Sequence, residues 1–138
     1  VITITIKQYD SGERLNNDWF SNVHGTLDGN MLLNGQSVNH VDPEHIGHTF
    51  TIHGMADGQN QVFLNVPLML ADDNEVTAAE EEGGYTRFPT KTTFTFITGD
   101  PGEYIWNCEF PCGDGTIARF GNAMSAMSYM SGHFTVKG

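Results

Sequence analysis

The segment "TKTTFTFITGDPGEYIWNC", residues 90–108, contains two runs in which apolar and polar residues alternate. Phe94 and Phe96 share one face of the first run, and Trp106 and Cys108 share one face of the second. The glycine-, proline- and aspartate-rich stretch between the runs is a turn signal. Alternation with a period of two predicts strands that each bury one face. The segment therefore predicts two β-strands, with Cys108 pointing inward at the end of the second.

The same alternation recurs along the chain in "VITITI" (1–6), "HTFTIHG" (48–54), "QVFLNVPLML" (61–70) and "GHFTVKG" (132–138). Pro67 lacks a backbone donor, so the third of these runs is predicted to be an edge strand or a strand end. Many short strands separated by turns such as Asn34-Gly35 favour an all-β sandwich. At most one or two short helices are expected, the better one at about residues 73–82.

Length and charge restrict the function classes. The 138 residues suit a single domain, 1–138. Six Lys+Arg residues against 17 Asp+Glu residues give a net charge of −11, which argues against binding to nucleic acid or anionic lipid. The acidity favours either simple solubility or attraction to a basic partner. No apolar run approaches the roughly 20 residues of a membrane span, although an anchor upstream of Val1 is compatible with the sequence.

Soft sulfur ligands are concentrated near the C-terminus: Cys108, Cys112, Met124, Met127 and Met130. Two cysteines four residues apart fit a disulfide, a metal-binding pair or two buried thiols. His48 opens a predicted strand far upstream. Thiolate and thioether sulfur combined with imidazole suits copper, above all Cu(I). The residues therefore indicate a candidate copper site.

Four segments carry a family resemblance: "HTFTI" (48–52), "PGEYIWNC" (101–108), "CEFPCG" (108–113) and "YMSGHFTV" (129–136). Together they resemble the cupredoxins, the blue copper proteins, in particular the sulfocyanin-like and cytochrome oxidase subunit II-like members. The resemblance implies an eight-stranded Greek-key β-sandwich that works outside the cytoplasm, in the periplasm or on the outer face of the cell membrane. It also implies copper at one end of the sandwich, with His48, Cys108 and Met130 as ligands.

One departure from the family pattern changes the expected ligand set. Mononuclear cupredoxins carry a second histidine between the cysteine and the methionine, whereas no histidine lies between Cys108 and Met130 here. Cys112, or a methionine of the intervening loop, is the available replacement. The predicted metal ligands are therefore His48, Cys108, Cys112 and Met130. A Cys108–Cys112 disulfide is the competing interpretation, and it would abolish the site.

The sequence thus predicts a non-enzymatic copper protein that transfers one electron at a time. Its expected partner is a redox protein, either basic or part of a respiratory chain. Two alternatives stay open: a Cu(I) carrier that uses the cysteines and the methionine-rich loop, and an oxidase-subunit-like structural domain that has lost its copper. A catalytic nucleophile at Cys108 is disfavoured, because a reactive thiolate needs an accessible, electropositive site.

Overall fold

The computed structural model describes residues 1–10, 17–54, 62–71, 85–109 and 130–138. The strands are β1 (Ile2–Asp10), β2 (Met31–Leu33), β3 (Gln36–Val38), β4 (Ile46–Gly54), β5 (Phe63–Met69), β6 (Tyr85–Phe96), β7 (Gly102–Asn107) and β8 (Ser131–Val136). A turn of 3-10 helix, Pro43–His45, precedes β4. The described residues contain no α-helix, and their one 3-10 turn is far too short to cross a membrane. The helix predicted at about residues 73–82 lies outside them.

The strands form two four-stranded sheets, in the orders β1-β6-β2-β3 and β5-β4-β7-β8. Every strand pairing is antiparallel. Neighbours such as β1 and β6 are distant in sequence, so the chain passes repeatedly from one sheet to the other. The prediction of an all-β sandwich is confirmed.

The local signals in the sequence correspond to local features of the sheets. Each of the alternating segments forms a strand, namely β1, β4, β5, β6, β7 and β8. Asn34 and Gly35 join β2 to β3 with positive φ angles of 48° and 86°. Two positive φ angles are typical of the tight hairpin turn that Asn-Gly favours. Pro67 lies within β5, which is an edge strand, as predicted.

The core lies between the two sheets and is rich in aromatic side chains. Phe94 of β6 and Phe50 of β4 have ring centroids 5.7 Å apart, and Phe96 and Phe134 pack across the same gap at 6.1 Å. Phe94 and Phe96 are almost completely buried. Burial of such large apolar surfaces is the main force that holds the sheets together. It also fixes which residues of β4 and β7 face inward.

A β-bulge interrupts β4 at Gly47, where the pairing with β5 shifts between Ile46 and His48. Gly47 is buried, and a Cβ atom there would lie 2.5 Å from the side chain of Leu70. A larger residue would therefore require the Leu70 side chain to move. Because a bulge bends its strand and changes the direction of the side chains that follow, the bulge at Gly47 influences the orientation of His48.

Residues 17–24, here called the cover segment, attach to the free side of β5. His24 and Asn65 exchange two backbone hydrogen bonds of 2.9 Å each. The side-chain amide of Asn65 donates to the carbonyl oxygens of Phe20, at 3.3 Å, and Asn22, at 2.9 Å. Asn65 is completely buried as a result. The cover segment therefore shields polar groups of β5 that would otherwise face water.

Candidate metal site

His48 and Cys108 lie side by side although they are 60 positions apart in the sequence, with His48 Nδ1 3.9 Å from Cys108 Sγ. The strand register brings them together. Ile52 of β4 lies opposite Trp106 of the antiparallel strand β7. On the same inward face, Cys108 comes two residues after Trp106, and His48 comes four residues before Ile52, toward the same end of the sheet. Cys108 is completely buried, and His48 is half-buried. The predicted proximity of these two residues is confirmed.

The separation of the two donor atoms fits a shared transition-metal ion. Typical metal–sulfur and metal–nitrogen bonds are about 2.3 Å and 2.0 Å, so two such donors are about 3.5 Å apart at a tetrahedral angle. The separation rises to about 3.9 Å when the angle opens to about 130°. The observed 3.9 Å lies within this range. A thiol and an imidazole at this distance are also a donor pair that suits copper.

The backbone around Cys108 is arranged to stabilise negative charge on its sulfur. The Thr49 amide donates a hydrogen bond to Cys108 Sγ at 3.4 Å. The amide of Glu109, the next residue after Cys108, donates to Thr49 Oγ1 at 2.8 Å. A hydrogen bond to a thiolate favours the deprotonated form that binds a metal. Thr49 thus holds both the sulfur and the chain that leaves it.

A buried chain of polar side chains continues from Thr49 away from the sulfur. Thr49 Oγ1 lies 3.1 Å from Thr51 Oγ1, which donates to Asn65 Oδ1 at 3.0 Å. The amide oxygen of Asn65 has no proton, so Thr51 must donate to it and must accept from Thr49. Each hydroxyl proton therefore points toward Asn65. The site and the cover segment are joined by one directed series of hydrogen bonds.

Met130 lies next to Cys108, immediately before β8. The Cys108 amide donates to the Met130 carbonyl oxygen at 2.9 Å. The Met130 side chain is half-buried and packs against the core cluster that contains Cys108. Its φ angle of 56° is left-handed, which is rare for a residue other than glycine. Such strained residues cluster at functional sites.

The rest of the predicted ligand set is only partly testable against the fold. Cys112, Met124 and Met127 lie outside the described residues. Among the described ones, no group of three His, Cys, Asp or Glu side chains could hold a metal ion. A complete site would therefore need a methionine or a ligand from outside the described residues. The roles of His48, Cys108, Cys112 and Met130 as ligands stay predictions.

Four of the other five histidines make described contacts elsewhere. His24 stacks on Trp19 with ring centroids 4.6 Å apart, and His53 bonds to Glu109 at 2.7 Å. His133 is exposed on β8. The remaining two bond to neighbours in sequence, His40 to Asn39 and His45 to Asp42. The backbone amide of Glu44, and to a lesser extent His45, lower the pKa of Asp42. None of these described contacts involves Cys108, whereas His48 contacts it.

Aromatic groups border the site on its core side. Trp106 stacks on Phe50 with a centroid distance of 5.3 Å. Gly132 of β8 lets the indole approach closely, because a Cβ atom at Gly132 would lie 2.6 Å from Trp106 Nε1. Phe110 and Phe120, two aromatic residues that follow Cys108 in the sequence, lie outside the described residues. A hydrophobic shell of this kind controls the access of water to a metal.

Sequence reasoning missed the polar residues that support the cysteine. Thr49 and Thr51 alternate with Phe50 and Ile52, a pattern that indicates a water-facing side of a strand. Both threonines are nevertheless buried. The available signal was Asn65, a polar residue inside the apolar run "VFLNVPL". A buried amide requires polar partners, and the threonines supply them.

Comparisons of the chain with family models, curated proteins and solved structures found no match. The resemblance to the cupredoxins therefore rests on the four quoted sequence segments. The two-sheet sandwich agrees with that resemblance without identifying the family.

Proposed function

We propose that this chain is a copper-binding protein of the cupredoxin type that acts in one-electron transfer outside the cytoplasm. The observation that carries the proposal is the pairing of His48 Nδ1 with Cys108 Sγ at 3.9 Å, beneath a Thr49 amide that donates to the same sulfur. Thiolate and imidazole donors of this kind favour copper over the hard cations, which prefer oxygen ligands.

The surroundings of the two donors suit electron transfer. His48 belongs to a strand paired on both sides, and Cys108 is hydrogen-bonded to Met130 and Thr49. Donors held this firmly resist rearrangement when the charge of a bound ion changes. When bound, copper would supply the one-electron redox chemistry. Hydrogen bonds to the cysteine sulfur and a hydrophobic shell tune the potential of such a site.

A Cu(I) carrier is the second candidate, and the positions of the histidines favour it. His48 is the described histidine that contacts Cys108, and the sequence contains no histidine between Cys108 and Met130. Any further donor from that loop would most readily be sulfur, and a sulfur-rich site favours Cu(I). Such a site would hold and release copper without cycling between oxidation states.

Copper titrations distinguish the candidates. One sample of the reduced, metal-free protein receives Cu(II) and is followed by absorption spectroscopy, while another competes for Cu(I) with a coloured chelator. An intense thiolate-to-copper band supports electron transfer, and tight Cu(I) binding without such a band supports the carrier. Absence of both would refute the copper proposal and leave a structural domain.

Matched variants connect the result to the residues. We expect Cys108→Ser and His48→Gln to lose most copper binding, because each removes a principal donor. His133→Gln is the control, since His133 is exposed on β8 and no described contact joins it to Cys108. Equal binding by His48→Gln and His133→Gln would contradict the site. Cys112→Ser, combined with thiol counting in the wild-type protein, tests the disulfide alternative directly.

A further inference from the structure

Four rings form a connected, partly exposed cluster where β4, β5 and the cover segment meet; it is called the ring cluster and consists of Trp19, His24, His53 and Phe63. Trp19 stacks on His24 and lies 5.8 Å from Phe63, and Phe63 meets His53 at 5.5 Å. Trp19 is 50% exposed and Phe63 is 41% exposed. Large exposed aromatic groups that touch one another are typical of protein-binding surfaces.

The charges near the ring cluster favour a basic partner. Exposed Asp18 precedes Trp19, and Glu109 lies against His53. The lysines whose side chains are described lie elsewhere: Lys7 on β1, Lys91 on β6 and Lys137 just after β8. None of them belongs to β4, β5 or the cover segment, and the whole chain carries a net charge of −11. A positively charged protein surface would therefore be attracted to this face.

The ring cluster is directly continuous with the candidate metal site. Glu109 follows Cys108 in the chain, and its carboxylate lies 2.7 Å from His53 Nε2. The side chain of Asn107 also donates to this carboxylate, at 3.2 Å. A partner bound to the ring cluster would thus contact His53, which is hydrogen-bonded to Glu109, the residue after Cys108. Docking at this position would bring the partner next to Glu109, the residue that follows Cys108.

We infer that the ring cluster is the docking surface for a basic redox protein. That the partner exchanges electrons with this chain rests on the proposed function, whereas the docking itself does not. The aromatic rings supply apolar contact area, and Asp18 with the surrounding negative charge orients the partner. One electron would pass between the proteins, so that one is oxidised as the other is reduced, and no covalent bond would form or break.

Nuclear magnetic resonance of the metal-free protein tests this docking. The chain contains two tryptophans, so Trp19 reports on the ring cluster and Trp106 is an internal control beside the core. The probe is reduced cytochrome c, a small basic haem protein without paramagnetic broadening in that state. At about 10 mM salt, where the Debye length is about 30 Å, the Trp19 indole signal should shift and that of Trp106 should not. At about 1 M salt the shift should disappear.

Variants then measure the contribution of each group by calorimetric titration. Trp19→Ala should weaken binding about tenfold, as expected for an aromatic residue central to an interface. Asp18→Lys should weaken it about threefold at low salt. Ile97→Ala is the control, because Ile97 is 58% exposed after β6 of the other sheet. Circular dichroism shows whether each variant keeps its strands.

The outcomes separate this inference from the copper proposal. Failure of cytochrome c to bind at low salt, shifts confined to residues outside the ring cluster, or an equal loss in Ile97→Ala and Trp19→Ala would each overturn the docking surface. Because binding is measured without metal, a docking surface could stand even if copper titrations fail. Copper binding with no effect of Trp19 or Asp18 would refute the docking surface alone.

Discussion

Replacing Thr51 by valine removes one hydroxyl from the middle of the buried polar chain and changes the side-chain volume very little. Thr51 is completely buried, donates to Asn65 Oδ1 at 3.0 Å and lies 3.1 Å from Thr49 Oγ1. Thr51→Val leaves the Asn65 oxygen without its donor and the Thr49 hydroxyl without its acceptor. Each buried group left without a partner costs about 1–3 kcal/mol. We therefore expect a loss of about 2–6 kcal/mol in the free energy of unfolding.

Thr51→Ser is the matched control, because it keeps the hydroxyl and removes one buried methyl group. That loss is worth about 1 kcal/mol. Strand propensity and hydrophobicity both favour valine over serine, so an account based on these properties predicts the opposite order of stability. The polar chain therefore predicts that the more apolar, isosteric replacement is the more damaging one.

Urea unfolding under reducing conditions measures the difference. With a denaturant dependence of about 1.5 kcal/mol per molar, Thr51→Val should lower the midpoint by at least about 1.3 M and Thr51→Ser by less than about 1 M. A double-mutant cycle with Thr49→Val should give a coupling energy above about 0.5 kcal/mol, since the two hydroxyls share one network. If Thr51→Val is as stable as Thr51→Ser, the polar chain does not stabilise the fold.

Three further predictions concern single positions. Gly25→Ala should cost at least about 1 kcal/mol more than Gly29→Ala in thermal unfolding. Both glycines have positive φ angles, of 80° and 75°, but of these two positions only Gly25 is one where an added Cβ would collide with a carbonyl oxygen of β5. Equal losses would show that backbone strain alone matters. Gly132→Ala should cost about 1–3 kcal/mol, because its Cβ would lie 2.6 Å from the Trp106 indole, and an unchanged melting temperature would contradict that packing. Met130→Leu should keep the stability within about 1.5 kcal/mol but weaken Cu(I) binding in chelator competition, and unchanged Cu(I) affinity would exclude Met130 as a ligand.

The strands were predictable because their signals are local. Alternation in β1 and β6, and the Asn34-Gly35 turn, depend on residues within a few positions of one another. The proximity of His48 and Cys108 was predictable for a different reason. Soft metal ligands must converge on one ion to form a site, and the quoted family segments indicate that His48 and Cys108 belong to the same site.

The support around Cys108 was not predictable from such signals. Thr49 and Thr51 were expected to face water, since they alternate with apolar residues. Their burial depends on Asn65 and on the cover segment, which reaches β5 through contacts over more than forty residues. Long-range coverage of a strand face leaves no periodic trace in the sequence. The ring cluster was missed for the same reason, because its four members come from three separate parts of the chain.

The free edge of β5 has a consequence for how this protein meets copies of itself. Both backbone groups of Asn65 that point away from β4 are occupied by His24, and Pro67, two residues further along the same edge, has no N–H to offer. A strand as apolar as "FLNVPLM" would otherwise be a template for strand addition by another chain. The edge is thus protected twice, once by the missing N–H of Pro67 and once by the backbone of the cover segment. Detachment of the cover segment would unmask the Asn65 backbone groups, so its loss should lead toward β-aggregation rather than toward simple local fraying.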